Sequence, residues 1–175
     1  MFKEFLLSAM SARYSLTCQP VDYSRHPDAL RMARACWLYY VSKYALLADT
    51  VFFILRKKNG QITFLHVYHH ATMVINWWLG VAYVAGGQSA FHPLLNTGVH
   101  MFIYLYYALS ALGSKLQSFL WWKKYLTVLQ LSQYIAVIIH TTTNLVVECS
   151  FPKGFNWAVA IYALSLVTLF ANSLS

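Results

Sequence analysis

Four stretches of this chain, 62–85, 91–112, 125–147 and 155–175, contain no Asp, Glu, Lys or Arg at all. A fifth, 35–55, is as apolar apart from Lys43 and Asp49. Runs of this length leave few options. Each comes close to, or exceeds, the roughly 20 residues that carry a helix across about 30 Å of hydrocarbon. Lipid offers no partner to an unpaired backbone group, so such a run must close its hydrogen bonds internally, as a helix does. The expected fold is therefore all-α, a multi-span helical membrane protein with about five transmembrane helices, at 35–55, 62–85, 91–112, 125–147 and 155–172. Composition agrees: 59% of the residues are hydrophobic and 10% charged, against roughly 25% charged in an average soluble domain.

The net charge of +8 invites a nucleic-acid reading, but the distribution of the cations argues against one. They fall in connectors, as Arg56-Lys57-Lys58, then Lys115 and Lys123-Lys124. With five helices alternating in direction, both connectors lie on one side of the membrane, which the positive-inside rule makes cytosolic. Lys3, Arg13, Arg25, Arg31, Arg34 and Lys153 lie on or near the other side, so density rather than number distinguishes the two faces. Cys18 precedes the first full span and Cys149 follows the fourth, which puts both on the non-cytosolic side, where disulfides persist. A Cys18–Cys149 bridge and two free thiols are both open. Cys36, at a span entrance, reads as packing.

Residues 1–17 are apolar in places but too short to span and lack the features of a signal peptide; they read as the end of an element that began earlier. Pro20 and Pro27 mark a polar loop, with Asp28 as the expected N-cap of the next helix. Gly86-Gly87 and Gly113 mark other connectors.

Ionisable and polar groups inside a span are costly and point to function. His66, His69 and His70 occupy about a 100° arc on adjacent turns of the second span. Asn96, His100, Tyr104 and Tyr107 form a stripe on the third. On the fourth, Gln130, Gln133 and His140 fall within about 80° of one another, with Thr127 nearby; interhelical hydrogen bonding is the plainer account of these. Lys43 and Asp49 lie about 9 Å apart along the first span, so each is expected to meet a group on another helix or a polar cavity. His26 and His92 read as ordinary loop and packing histidines. Four polar faces imply an enclosed polar chamber, within reach of the basic side.

In this order these residues resemble the ELO family of very-long-chain fatty acid elongases. His66-Val67-Tyr68-His69-His70 is similar to that family's HxxHH. Asn96-x-x-x-His100-x-x-Ile103-Tyr104-x-Tyr106-Tyr107 is similar to NxxxHxxMYxYY, and Thr127-x-x-Gln130-x-x-Gln133 to TxxQxxQ. Lys43 with Asp49-Thr50 resembles KxxExxDT, except that Leu46 stands where that pattern has Glu. The likeness covers essentially all of 1–175. Family members have seven spans; the first, most of the second and a C-terminal tail have no counterpart here. The resemblance thus implies a single transmembrane domain of a partial elongase in the endoplasmic reticulum membrane.

It also implies an activity: condensation of a long-chain acyl-CoA with malonyl-CoA to give 3-oxoacyl-CoA, CoA and carbon dioxide, with no bound cofactor or metal. No cysteine lies in the chamber, so imidazole is the available nucleophile. His69 is the expected acylated group, with His66, His70 and His100 handling protons or the enolate. Lys43, Asp49, Asn96, Tyr104, Tyr107, Gln130 and Gln133 would bind and orient substrate. Arg56, Lys57 and Lys58, with Lys123 and Lys124, would meet CoA phosphates. Expected partners are membrane lipid, copies of the chain or other elongases, and the reductases and dehydratase of the cycle, with no nucleic acid. Two alternatives stand beside this reading. HxxHH also occurs in di-iron desaturases and hydroxylases, although His66, His69, His70, His100 and His140, with no Glu in any span, make a sparse ligand set. The other is a non-catalytic truncated relative of the elongases.

Overall fold

The computed structural model describes residues 1–55, 57, 63–112 and 120–174, with backbone only at 49, 50, 52–54, 173 and 174. Six α-helices and one short 3₁₀ turn make up the described chain: α1 (Phe2–Ser11), α2 (Pro27–Leu55), α3 (Phe64–Tyr83), the 3₁₀ turn Gly87–Ala90, α4 (Phe91–Ala111), α5 (Lys123–Val146) and α6 (Lys153–Leu174). No strand occurs among the described residues.

Local chemistry explains where the helices begin. The Thr63 side chain accepts the His66 N–H at 3.2 Å and so caps α3, which sets the three histidines in its first two turns. Pro27 opens α2, where its missing N–H costs nothing. The expected cap, Asp28, instead lies inside the first turn and accepts the Ser11 hydroxyl at 3.0 Å. The helix starts at Pro27, within two residues of the start that the Asp28 cap implied, and carries Asp28, Arg31 and Arg34 ahead of the apolar region that begins at residue 35.

The helices pack in a closed ring. Their principal contacts run α1 to α2, α2 to α3, α3 to α6, α6 to α5, α5 to α4 and α4 back to α1, the α5–α6 pair being the most extensive. Polarity is inverted relative to a water-soluble bundle. Lys43, Asn96, Gln133, Asn144 and Asn156 are buried, while Ile75, Phe102, Leu105, Ile139, Ile161 and Leu164 are exposed. Large apolar faces of this kind need an apolar surrounding. Among the described residues α6 is long and apolar enough to cross a membrane on composition alone, over Lys153–Asn172 with mean hydropathy 1.6. The helices α2 to α5, of 29, 20, 21 and 24 residues, are long enough. They carry the His, Asn, Gln and Lys groups that lower their mean hydropathy.

One end of the ring is fastened covalently. Cys18, in the loop ahead of α2, forms a disulfide with Cys149, in the loop behind α5, across 131 residues of sequence. Beside it the 3₁₀ turn packs on the same loop through Gln88 N–H, which donates to the Gln19 carbonyl at 2.9 Å. Gly87 has φ +56°, and a Cβ there would stand 2.8 Å from that carbonyl oxygen. Cys36 is free and fully buried against Phe5, Met32, Tyr39 and Trp77.

Candidate functional site

The cap at Thr63 starts α3 just ahead of His66, so His66, His69 and His70 stand in its first two turns, all three half-buried. The His66 and His70 rings stack at 4.1 Å, and the His69 ring meets His70 edge-on at 5.5 Å. His70 Nδ1 lies 3.1 Å from the Leu46 carbonyl of α2. A carbonyl can only accept, so Nδ1 carries a proton and this bond fixes the ring across the helix interface. His69 Nε2 stands 3.5 Å from the Tyr134 hydroxyl of α5. Its main chain is held from α6, where the Tyr162 hydroxyl donates to the His69 carbonyl at 3.3 Å while accepting from Thr72 at 3.0 Å. The Tyr68 and Ser165 hydroxyls, 3.1 Å apart, add a second link between α3 and α6.

A second polar group spans α2 and α4. Asn96, 2% exposed, accepts the Tyr39 hydroxyl at 2.6 Å and the Lys43 ammonium at 3.0 Å on one oxygen. The Lys43 Nζ also lies 3.9 Å from the centre of the Tyr39 ring. Asn96 thus orients Lys43 and Tyr39, where sequence pointed to the thioester and imidazoles. Lys43, Leu46, Asn96, His100 and Tyr104 border a cavity of about 620 Å³, with the His100 and Tyr104 rings 5.6 Å apart. The two polar groups adjoin at Leu46, which borders this cavity and whose carbonyl meets His70.

The remaining expected residues fall less uniformly. Gln133 points inward at 5% exposure, and its Nε2 has no hydrogen-bond partner; Gln130 is half-buried. Tyr107 is 59% exposed, its ring 5.9 Å from Tyr106; it shares the His100 face but sits two turns nearer the α4 end. His140 lies apart, about 9 Å along α5 from Tyr134, stacked on Phe91 at 3.9 Å. It borders an apolar cavity of about 140 Å³ among α3, α4, α5 and α6, together with Trp77, Tyr134, Phe151, Asn156 and Tyr162. His92, stacked on Trp77 at 5.4 Å, borders the same space. Lys57, Lys123 and Lys124 are exposed. Arg56, Lys58 and Lys115 lie outside the described residues, as does the Asp49 side chain.

Sequence reading missed Tyr39, Tyr134, Tyr162 and Thr72. Tyr134 directly follows Gln133 in a polar motif, which is a usable signal; Tyr39 and Tyr162 sit among aromatic residues that read as packing. Among the described residues no three His, Cys, Asp or Glu side chains are gathered to hold a metal ion; His66 and His70 present stacked faces rather than convergent lone pairs.

Comparison with known proteins adds an independent line. Residues 1–174 match the ELO family, described as the GNS1/SUR4 family. The chain is 50% identical over 171 residues to very long chain fatty acid elongase 4 of Homo sapiens, covering 98% of this chain and 54% of that protein. It is 55% identical over 137 residues to very long chain fatty acid elongase 7 of Rattus norvegicus, covering 78% and 49%. To very long chain fatty acid elongase 7 of Drosophila melanogaster it is 43% identical over 173 residues, covering 98% and 53%. The chain thus spans about half the length of the relatives it matches.

Proposed function

The chain belongs to the ELO (GNS1/SUR4) family, and on that premise we propose that it performs the condensing step of fatty acid elongation. In that step a long-chain acyl-CoA, malonyl-CoA and a proton give 3-oxoacyl-CoA, CoA and carbon dioxide. The observation that carries the reading is the meeting of the α3 histidines with the cavity that His100 borders, through the Leu46 carbonyl 3.1 Å from His70 Nδ1. The free thiol Cys36 is packed in an apolar cluster, so imidazole supplies the nucleophile.

His69 Nε2 attacks the acyl thioester carbonyl, forming an acyl-imidazole and expelling CoA thiolate, which takes up a proton. Decarboxylation of the malonyl thioester leaves an enolate, whose carbon attacks the acyl-imidazole and frees His69. Polar donors aimed at developing negative charge in a water-poor site are the largest source of rate in such chemistry. His66, His70 and His100 are the groups in place to supply them, with Asn96, Tyr104, Gln130 and Gln133 orienting the substrates. Tyr107 and Asp49 serve the same binding role nearer the chamber mouth. The apolar cavity lined by Trp77, Phe151 and Tyr162 accommodates the acyl tail, and Lys57, Lys123 and Lys124, with Arg56 and Lys58, meet CoA phosphates. No resident metal or other cofactor takes part.

The protein is a multi-pass component of the endoplasmic reticulum membrane, with its basic connectors cytosolic. The disulfide supports this orientation because it lies at the opposite end of the bundle. Its partners are lipid, other elongase chains, and the reductases and dehydratase that process its product.

Microsomes expressing the chain and supplied with labelled malonyl-CoA and a long-chain acyl-CoA test the reading. Formation of labelled 3-oxoacyl-CoA, abolished by His69→Ala, is the expected result. Incorporation no greater than in the His69→Ala control would leave the non-catalytic reading, which Leu46 favours by removing a carboxylate from the chamber.

A further inference from the structure

The cavity among α3, α4, α5 and α6 has a polar group at each end and apolar walls, Trp77, Val137 and Val159 among them, in between. Tyr134 and Tyr162 border it where they meet His69. Six residues away on each helix, about 9 Å towards the disulfide end, His140 of α5 and Asn156 of α6 border it too. Each carries a buried nitrogen, His140 Nε2 and Asn156 Nδ2, with no hydrogen-bond partner among the described residues. Asn156 is 3% exposed. The Leu16 carbonyl approaches the His140 ring without meeting Nε2 in hydrogen-bond geometry. Three polar groups at the same end are by contrast satisfied. Gln88 donates to Asn144, Thr141 to the Val137 carbonyl at 2.9 Å and Ser89 to the Val84 carbonyl at 2.6 Å. Folded proteins leave few buried polar atoms unpaired, because each one forfeits its hydration for nothing. Two such atoms on one cavity call for a guest that pairs with them.

We propose that this cavity binds an acyl chain bearing a hydroxyl at its far end, held by Asn156 Nδ2 and His140 Nε2. The polar end stands on its own geometry; that an acyl tail reaches it from His69 rests on the condensation reading. A hydroxyl suits both nitrogens, because it accepts from the amide and either donates to or accepts from a neutral imidazole. A carboxylate suits them less: among the described residues no Lys or Arg borders the cavity, and a buried charge needs a partner. A terminal methyl displaces water and leaves both nitrogens unpaired. His140 and Asn156 therefore set specificity by touching the distal tail, about 9 Å along the helices from the tyrosines that meet His69. The preference belongs to one chain length, because an added or missing carbon moves the hydroxyl off two fixed nitrogens.

The test measures binding of acyl-CoAs of increasing length to the purified full chain in detergent, each length with and without a hydroxyl on its last carbon. Both members of a pair carry the same thioester and the same CoA, so only the hydroxyl differs. At one length the hydroxylated chain is expected to bind on the order of tenfold more tightly, as one well-made hydrogen-bonded contact allows. His140→Phe, which keeps a ring against Phe91, and Asn156→Leu are each expected to reduce that preference, and the double variant to erase it. Neither substitution orphans a partner of the nitrogen it removes, and should a variant fail to fold, the pairs on the unmodified chain still decide. Equal binding within every pair would show that water or nothing meets the two nitrogens and overturn the proposal. A preference that survives the double variant would place the hydroxyl elsewhere and overturn it too. Preference in a chain whose microsomes make no 3-oxoacyl-CoA would keep the hydroxyl site and remove the condensation reading, whereas elongation with equal binding would do the reverse.

Discussion

The side chain of Asn96 on α4 accepts the Tyr39 hydroxyl of α2 at 2.6 Å, at a point where both residues are almost wholly buried. The same oxygen holds Lys43. Replacing Asn96 with Leu leaves a phenol and an ammonium buried without that acceptor, which costs about 2–5 kcal/mol. Asn96→Asp keeps an oxygen in place and adds a charge opposite Lys43. The expected outcome is a clear fall in the thermal midpoint of the detergent-purified protein for Asn96→Leu and a much smaller change for Asn96→Asp.

A backbone contact at the other end of the bundle makes a second prediction. Gly87 has φ +56°, and an added Cβ would lie 2.8 Å from Gln19 O and 2.9 Å from Pro20 O. Both are main-chain atoms of the loop that carries Cys18, so neither can rotate aside. Gly87→Ala is expected to cost about 1–3 kcal/mol through the left-handed conformation, with the clash added. A lowered thermal midpoint, together with faster proteolysis in the loop around Gln19, is the measurement that checks it. Gly154, whose Cβ position is open, serves as the control and should tolerate alanine.

Much of this architecture was legible in the chain's polarity. The charge-free runs place α3, α4, α5 and α6 to within about two residues of their ends, because a span cannot stop inside hydrocarbon. The start of α2 was legible to within two residues from the expected cap at Asp28, whereas the apolar run alone, which begins at residue 35, misses Asp28, Arg31 and Arg34. Helical periodicity put His66, His69 and His70 on one face, and the structure stacks them there. The same periodicity aligned His140 with Gln133, yet His140 pairs with Phe91 instead. Angle around a helix says nothing of depth along it. Nor could the sequence identify which helix faces which. The closure of α4 onto α1, and the tyrosines of α2, α5 and α6 that reach Asn96 and His69, depend on long-range packing that no local pattern encodes.

The disulfide gives a chemical prediction. Cys18 and Cys149 are joined, whereas Cys36 is a thiol with no exposed surface. A maleimide reagent should therefore leave the folded protein unlabelled, modify one cysteine after unfolding, and modify three after unfolding with reduction. Mass spectrometry reads each state. Labelling of Cys18 or Cys149 without reductant would contradict the bridge.

Two tyrosines hold His69 by different atoms, and their phenylalanine variants should separate. Tyr134 approaches the ring nitrogen at 3.5 Å, the outer limit of a hydrogen bond, while Tyr162 donates to the main-chain carbonyl at 3.3 Å and accepts from Thr72. A contact as long as the first contributes little to a resting imidazole. Tyr134→Phe should therefore lower 3-oxoacyl-CoA formation by less than about tenfold, the rate equivalent of about 1.4 kcal/mol. Tyr162→Phe leaves Thr72 with main-chain acceptors on its own helix, Tyr68 O at 2.6 Å and His69 O at 3.4 Å. It removes the link from α6 to the His69 backbone, so it is expected to lower the thermal midpoint more than Tyr134→Phe does. The check is to assay both variants for activity and thermal midpoint beside His69→Ala. A loss in Tyr134→Phe as deep as that of His69→Ala would mean that the phenol closes on the imidazole during reaction and donates a proton there.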